Sequence, residues 1–351
     1  MQVSKNNFLD HVRCLRQAVL SNGGELIIAG NSMQALIRHG TTHWVLHPQF
    51  LATIDGITQY TPTFDDAATH FVGWLPYQNK RWPIASDKLA FKRFAESVGL
   101  RVPQFSIDPR ANLSDVVIKR ATSSFGEQVH GPFRSSGEHA IDVAQGEYYD
   151  RFVEGRLLKI WYWDAEPVCV EIDNMPFVQG NGISTVGELM VSRANLTKRM
   201  NDKDTQRLFD KCEALLRYYG VTTATVLPPE SRQLIEFRYG SNLMHMYDRT
   251  VIDLQTAEPT SWTPSLHSIG QQLHGAITEK ERKGTVFTVD AILDQQQDIW
   301  LLEMNSNPTV HPLVYPRIVS SLLPIKSTLS SDKQQSAHSR ALQQSSTPQS
   351  V

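Results

Sequence analysis

The chain has 351 residues, of which 40% are hydrophobic and 20% are charged, and its formal net charge is −2. With a sequence pI near 6.6, the overall charge gives no reason to expect attraction to nucleic acid or to an anionic membrane. No apolar run approaches the ~20 residues that span a bilayer, and the N-terminus lacks a signal-peptide core. The scattered cysteines Cys14, Cys169 and Cys212 lack CxxC spacing and favour free thiols. We therefore expect a cytoplasmic protein that binds neither nucleic acid nor membrane.

The N-terminal part of the chain, up to about residue 85, is typical of a small α/β unit. Helical apolar spacing covers Phe8–Leu20, and the turn Asn22-Gly23-Gly24 follows it. A short apolar strand is then predicted at Leu26–Ala29.

A new unit begins near Ser86. Asp87 is a good N-cap for a helix over Leu89–Val98. The segment Asp115–Arg120 is predicted to be a strand that delivers Lys119 at its end. The polar loop that follows, residues 121–131, offers backbone N–H groups that together with Lys119 are suited to hold phosphate, although the loop matches no P-loop.

The middle of the chain alternates strand and helix patterns. A capping-box pattern, Thr185-x-x-Glu188, opens one of the helices. The other segments predicted here are an apolar run at Tyr148–Val153, a strand with Lys159 at Leu157–Trp163, a helix at Asp204–Tyr219, a strand at Leu234–Met244 and a helix at Leu266–Ile277.

Near the C-terminus, the stretch Phe287–Pro308 predicts an antiparallel hairpin, because two β-rich apolar runs flank a polar break. Side chains alternate faces along a strand, so Glu303 and Asn305 share one face and Asp290 can lie opposite them. Two carboxylates and an amide oxygen form an all-oxygen site of the kind Mg²⁺ takes when phosphate supplies further ligands. An ordinary half-exposed hairpin is the alternative that the residues alone leave open.

Five segments, taken in order, resemble the ATP-grasp superfamily. They are Asp87-Lys88 opening a helix that ends in GLRVP, VVIK ending at Lys119, the hinge-like YYDRFVEG, FTVDAIL, and LLEMNSNP, which is close to the family's LEVNxxP signature. Within the superfamily, NGISTVGEL and LIEFRYGSNL resemble segments of the cyanophycin synthetase-like carboxylate–amine ligases.

The resemblance implies an ATP-grasp fold of mixed α/β and α+β character, in which two α+β lobes hold ATP between them. The implied division is a pre-ATP-grasp α/β domain at 1–85, a small lobe at 86–155 and a C-terminal lobe with the metal site at 156–325. Residues 326–351 are rich in Ser and Gln with few apolar residues, and we expect them to form a disordered tail.

The resemblance also implies roles for individual residues. ATP would bind with one or two Mg²⁺, or with Mn²⁺ in their place, and the metal ligands would be Asp290, Glu303 and Asn305. Nucleotide contacts are expected from the phosphate lysines, the loop, the hinge and the strand after it: Lys88, Lys119, Ser124, Gly126, Asp150, Arg151, Phe152, Val153, Glu154 and Lys159.

The chemistry implied is amide or peptide bond formation through an acyl phosphate, with release of ADP and phosphate. ATP-grasp ligases commonly carry an arginine near the first metal carboxylate, whereas here Thr288 lies two residues before Asp290. Arg238 is the expected substitute, with Lys159 as a second cation. The partners would be a small-molecule carboxylate and an amine, such as an amino acid or peptide, and a homodimer is compatible with the sequence. Candidate acceptor-site residues are Arg238, Asn242, Arg249 and the run Trp161-Tyr162-Trp163.

Two departures from the family pattern keep other functions open. The loop at 121–131 is poor in glycine, and Leu157 stands where relatives often carry a carboxylate for the ribose, a role that Glu154 would then take. A phosphotransferase acting on a hydroxyl would use the same metal residues, and a non-catalytic ATP-binding protein would tolerate the poor loop. The STVGEL and FRYGSN segments favour the ligase.

Overall fold

The structure is a computed structural model that describes residues 4–54, 57–122, 129–196, 199–238, 243–245 and 248–323. The helices in this part of the chain are α1 Phe8–Ser21, α2 Lys88–Ser97, α3 Val186–Asn195, α4 Asp202–Tyr218, α5 Thr263–Ala276, α6 Glu279–Arg282 and α7 Tyr315–Leu322. The strands are β1 Glu25–Ile28, β2 Ala35–His39, β3 Thr42–Ile54, β4 Ile57–Thr61, β5 Ala68–Leu75, β6 Phe105–Ser106, β7 Ser114–Arg120, β8 His130–Ser135, β9 Glu147–Arg151, β10 Arg156–Trp163, β11 Glu166–Asn174, β12 Phe177–Gln179, β13 Arg232–Leu234, β14 Arg249–Asp253, β15 Val286–Leu293 and β16 Ile299–Asn305.

These strands form antiparallel sheets, which confirms the predicted mixed fold class. The N-terminal sheet has the order β1-β2-β3-β4, with β5 also paired to β3. A four-stranded sheet follows in the order β6-β9-β7-β8, and the central five-stranded sheet has the order β14-β11-β10-β15-β16. Strands β12 and β13 pair separately.

The helix ends follow the capping signals in the sequence. The side chain of Asp87 accepts hydrogen bonds from the backbone N–H of Leu89 and of Ala90, so α2 begins at the predicted position. At α3, Thr185 and Glu188 form the predicted capping box, in which each side chain bonds the other residue's backbone N–H. No helix in the described ranges is long and apolar enough to cross a membrane.

The central sheet has one apolar face and one charged face. On the apolar face, alternate residues of β10, β11 and β15 pack against α2 and α5 in one hydrophobic core. The members of that core from these three strands are Leu158, Ile160, Tyr162, Val170, Ile172, Phe287, Val289, Ala291 and Leu293. The residues between them point to the opposite face, so the same alternation presents Lys159, Glu171 and Asp290 there.

The N-terminal helix and sheet cover one end of the charged face. Residues of α1, β2, β5 and α7 share a buried core with Trp161 and Trp163 of β10. At the other end of the same face, Leu157 and Ile292 pack with Phe152 in a second core. The charged row therefore lies between two apolar clusters.

The predicted strand at Leu234–Met244 is wrong over the part that the structure describes. Pairing with β12 ends at Leu234, and no strand continues through Arg238. The cause is local: the Glu236 side chain accepts hydrogen bonds from the backbone N–H of Phe237, at 2.9 Å, and of Arg238, at 3.0 Å. A side chain that takes these donors removes them from any strand ladder.

Candidate active site

A row of charged side chains crosses the central sheet. Lys159 on β10 lies opposite Glu171 on β11 and opposite Asp290 on β15, and Asp290 lies opposite Glu303 on β16. Directly opposed residues of an antiparallel pair share a face with their Cβ atoms about 5 Å apart. The hairpin thus brings Asp290 and Glu303 together as the sequence predicts.

The first carboxylate of the hairpin is held by a lysine and an amide. Lys159 Nζ lies 2.7 Å from Asp290 Oδ1, and Asn305 Nδ2 donates to Asp290 Oδ2 at 3.3 Å. The side chains of Lys159 and Asp290 are each 12% exposed, so the pair has only slight contact with solvent. Asp290, Asn305 and Lys159 are therefore assembled in one cluster.

The second carboxylate joins the central sheet to α2. Lys88, the first residue of α2, places its Nζ 2.9 Å from Glu303 Oε2. Through this contact the helix that Asp87 caps reaches the hairpin 215 positions further along the chain. Two lysines from different elements thus face two carboxylates on adjacent strands.

The charged groups of this cluster shift one another's pKa values. Burial raises the pKa of Asp290, against the opposing effect of Lys159 and with a further contribution from Glu303. Burial acts to raise the pKa of Glu303 as well, but Lys88 and Lys159 outweigh it and lower that pKa. Two carboxylates this close disfavour being charged together unless cations accompany them.

The donor set fits a divalent cation bound together with phosphate oxygens. Among the described residues, no group of three or more His, Cys, Asp and Glu side chains is placed to hold a metal ion. Asp290, Glu303 and the Asn305 amide are instead an incomplete all-oxygen set, which phosphate would complete. The buried Thr288 hydroxyl, opposite Asn305 in the register, has no hydrogen-bond partner among the described residues, so the site contains an unused polar atom.

The predicted phosphate lysine Lys119 lies at the partly exposed edge of a second cluster, in which it contacts a fully buried ion pair. Asp150 accepts a hydrogen bond from Lys119 Nζ at 2.8 Å through Oδ2, and Lys92 Nζ lies 2.7 Å from Oδ1. The side chains of Lys92 and Asp150 are 0% exposed. Asp150 lies in the predicted hinge, which the resemblance implies would meet adenine largely through backbone groups, and its side chain is turned to the two lysines.

Tyr148 is a residue of this region that sequence reasoning missed. It lies opposite Lys119 in the register of β7 and β9, and its buried hydroxyl has no hydrogen-bond partner among the described residues. Burial raises the pKa of Tyr148, and the charges of Asp150 and Glu303 raise it further. Period-two spacing from Asp150 is the signal that places both on one face.

Most other groups of the predicted hinge are engaged in hydrogen bonds or core packing within the protein. The backbone N–H of Arg151 donates to Gln104 O at 2.8 Å, and that of Phe152 donates to Asp115 O at 2.6 Å. The Phe152 ring is buried in the core that Val153 partly joins. Glu154 is exposed and accepts a hydrogen bond from the Tyr219 hydroxyl at 2.5 Å.

Arg238 is not brought to the charged row by any contact in the described structure. Its Nε donates to Glu236 Oε1 at 2.8 Å, and its Nη2 donates to the carbonyl of Lys211 on α4. Ser124, Gly126 and Asn242 lie outside the described residues.

Beyond Lys159, the charged face continues into a third cluster that the sequence only hinted at through Arg249. Lys5 Nζ lies 2.5 Å from Glu171 Oε1, and Arg249 Nε lies 3.0 Å from the same oxygen. Arg249 also donates two hydrogen bonds to Asp173, at 2.7 and 2.9 Å. Burial acts to raise the pKa of Glu171, but Lys5 and Arg249 outweigh it and lower that pKa.

Solved structures similar to this chain include ligases and synthetases. A bifunctional glutathione synthetase from Pasteurella multocida has 15% identity and a TM-score of 0.40, and the match covers 91% of this chain and 44% of that protein. D-cycloserine synthetase DcsG has 12% identity and a TM-score of 0.38 over 68% of this chain and 70% of that one. D-alanine–D-alanine ligase from Bacillus anthracis, complexed with ATP, has 9% identity and a TM-score of 0.34 over 72% and 69%.

This chain therefore spans less than half of the length of the glutathione synthetase. No protein-family model matches the sequence, and no curated protein matches it significantly. All three structural similarities have TM-scores below 0.5.

Proposed function

We propose that this chain is an ATP-dependent carboxylate–amine ligase of the ATP-grasp type, with ATP bound between the small lobe and the central sheet. The observation that carries the proposal is the double lysine–carboxylate contact, Lys88 with Glu303 and Lys159 with Asp290. It places two cations from separate elements around an oxygen-rich site, an arrangement suited to the phosphates of a nucleotide.

In this proposal Asp290, Glu303 and Asn305 would hold one or two Mg²⁺, or Mn²⁺. A divalent cation at such a site neutralises phosphate charge and polarises the phosphoryl group. The lysines supply fixed positive charge at the same place: Lys88 from the small lobe and Lys159 from the sheet. Since Lys159 faces Asp290 and Arg238 faces Glu236, we assign the catalytic cation to Lys159.

The reaction would proceed in two displacements. An oxygen of the substrate carboxylate takes the γ-phosphoryl group of ATP, and ADP leaves. The amine then attacks the carbonyl carbon of the acyl phosphate, gives up a proton, and phosphate departs with the electrons of the broken C–O bond. Buried cations beside the reacting oxygens stabilise the negative charge that develops on them.

A phosphotransferase remains the second candidate. The same lysines and carboxylates serve transfer to a hydroxyl as well as to a carboxylate, because they contact the nucleotide rather than the acceptor.

Trapping distinguishes these reactions. We would supply Mg²⁺-ATP with pools of amino acids, small peptides and hydroxy acids, and add hydroxylamine to half of the samples. Substrate-dependent ADP release with a hydroxamate product is expected for a ligase. ADP release with a phosphorylated product and no hydroxamate would identify a kinase, and tight ATP binding with no release from any pool would contradict both.

A further inference from the structure

A groove runs along the outer face of α3, between that helix and α4. Its volume is about 740 Å³, and the α3 residues Glu188, Val191, Ser192 and Asn195 line it together with Phe209 of α4. The large apolar side chains among them, Val191 and Phe209, are half-buried. On their inner sides, α3 and α4 pack together in a hydrophobic core of their own. The groove therefore belongs to a part of the molecule separate from the charged row.

Exposed apolar side chains lie at both ends of this groove. Ile183, just before α3, is 83% exposed, the highest value among the large hydrophobic side chains that the structure describes. Val226 is 47% exposed and lies close by, because Thr185 and Val226 form a β-bridge. At the other end, the C-cap residue Leu196 is 68% exposed. Apolar surface concentrated in one place marks an interaction site.

The turn that carries Ile183 is held by its own hydrogen bonds. The Asn181 side chain accepts hydrogen bonds from the backbone N–H of Ile183, at 2.9 Å, and of Ser184, at 2.7 Å. Gly180 lies so close to the following segment that a Cβ on it would be 2.2 Å from the carbonyl oxygen of Pro228. Because this backbone is already fixed, a partner that covers Ile183 orders little additional chain.

The outer face of α3 is complementary to itself when two copies of the helix run antiparallel. A two-fold axis midway between Ser192 and Asn195 places these polar side chains opposite each other across the axis. The same axis places Val191 opposite Leu196 of the partner subunit. Each of these contacts then occurs twice, as a two-fold symmetric dimer requires.

Charge selects the antiparallel direction. Glu188 lies in the first turn of α3 and Arg199 follows its last turn, and both are exposed. The backbone N–H of Met200 donates to Asn195 Oδ1 at 2.8 Å, which holds the neighbouring Arg199 at the C-terminal end of the helix. Antiparallel pairing brings Glu188 to Arg199 of the partner subunit, whereas parallel pairing opposes like charges. Antiparallel helix dipoles favour the same direction.

We propose that the outer face of α3 binds the same face of a second copy of this chain and forms a two-fold symmetric dimer. The ridge from Val191 to Leu196 of each copy fills the groove of the other, and Ile183 comes to the C-terminal end of the partner's α3. A second copy is the occupant because apolar, polar and charged positions all find their complements on this one face. The inference is independent of the proposed reaction, since the cores of α3–α4 and of the central sheet are separate.

Sedimentation velocity of the full-length protein without nucleotide measures this association. Over about 0.5–200 µM protein we expect a monomer–dimer equilibrium with a dissociation constant of about 1–100 µM, as for a small interface. A monomer throughout that range would refute the dimer and leave the ligase proposal untouched, because the assay contains no ATP. Dimer formation by a protein that releases no ADP with any substrate would keep this inference and count against the ligase.

Substitutions on two helices locate the interface. Leu196→Glu should weaken dimerisation by at least about tenfold, because it places a carboxylate in the apolar contact. Leu20→Glu is the matched control, since Leu20 of α1 is 55% exposed and lines another surface groove. Both positions are exposed, so the melting temperature of the monomer should stay close to that of the wild type. Dissociation by Leu20→Glu with a normal dimer for Leu196→Glu would place the interface on α1 and overturn the proposal.

A charge exchange tests the direction of the pairing. Arg199→Glu and Glu188→Arg should each weaken the dimer, because each opposes two like charges across the axis. The double variant should recover most of the lost affinity, since it rebuilds both contacts with the signs exchanged. Glu188 also caps α3 through Thr185, and that cap is lost equally in Glu188→Arg and in the double variant. Recovery between these two therefore reports the contact between subunits, and a double variant no better than Glu188→Arg would refute the antiparallel pairing.

Discussion

Two lysine–carboxylate clusters flank the proposed nucleotide site, and they differ in how they are closed. In the first cluster, Lys92 of α2 and Lys119 of β7 share the single carboxylate Asp150 of β9, and the side chains of Lys92 and Asp150 are fully buried. On the hairpin, Lys88 and Lys159 each face their own carboxylate, and all four side chains keep some exposure.

This difference in burial separates a cluster that positions a side chain from a cluster that binds a ligand. A sealed ion pair cannot exchange its partner for a ligand without opening the fold, and removing one member leaves a buried charge uncompensated. A partly exposed pair can give up its contact when phosphate or a cation arrives. We therefore assign Lys92 and Asp150 to fixing Lys119, and the hairpin cluster to ligand contact.

The largest stability effect is expected at the sealed cluster. Lys92→Met should destabilise the protein by about 3–5 kcal/mol, because Asp150 would keep a buried charge with one cation fewer. Urea unfolding of the variant measures this loss. Lys119→Met is the comparison, since the Lys119 side chain is 16% exposed and its loss should weaken nucleotide binding more than stability. Equal stability losses in the two variants would contradict the assignment of Lys92 to stability and Lys119 to nucleotide binding.

At the hairpin cluster, substitution should reduce activity strongly and stability little. Glu303→Gln should reduce kcat/KM by about 10²–10³-fold, the scale of losing a charged group at a reacting phosphate, with the melting temperature nearly unchanged. Asp298→Asn is the matched control, because Asp298 lies in the turn of the same hairpin and pairs with the exposed Arg101. Wild-type turnover of Glu303→Gln at limiting Mg²⁺ would exclude the metal site.

Acid should destabilise the folded protein through the buried His311. Because burial lowers its pKa from 6.5 to about 3, the unfolded chain binds this proton at a higher pH than the folded one. Stability is therefore lost as the pH falls from 6.5 towards 3, by up to about 1.4 kcal/mol per pH unit from this group.

Chemical unfolding at a series of pH values measures that slope. His311→Gln should make the acid loss shallower, whereas the control His267→Gln, at an exposed position of α5, should leave it unchanged. Parallel curves for wild type and His311→Gln would contradict the assignment.

The smallest effect is expected at the hydroxyl between the two clusters. Tyr148→Phe removes a buried hydroxyl that lacks a protein partner, so stability should stay constant or rise slightly. Nucleotide binding should weaken about fivefold to tenfold if that hydroxyl donates to phosphate.

The neighbouring tyrosine provides the control for Tyr148. The Tyr149 hydroxyl donates to the carbonyls of Ser136 and His139, so Tyr149→Phe should lower stability and leave nucleotide binding intact. Thermal unfolding and nucleotide titration of both variants test these opposite effects on stability and on nucleotide binding. A loss of stability in Tyr148→Phe without a change in binding would make its hydroxyl structural.

The sequence alone determined the features that depend on near neighbours. The N-cap at Asp87, the capping box at Thr185 and the hairpin that opposes Asp290 and Glu303 all follow from spacings of two to four residues or from one turn. Where another local bond competed, the prediction was wrong: Glu236 captures the N–H groups that the strand expected at Leu234–Met244 would need.

Tertiary structure decided the contacts between distant segments. Glu171 receives Lys5 across 166 positions, and Lys88 meets Glu303 because α2 packs against β16. Single-sequence patterns carry no information on strand register between non-adjacent segments or on which helix end meets which strand. Local periodicity fixed which side chains share a face. Only the packing of α1 and α2 on the sheet and the pairing of the edge strand β14 decided which charges meet there.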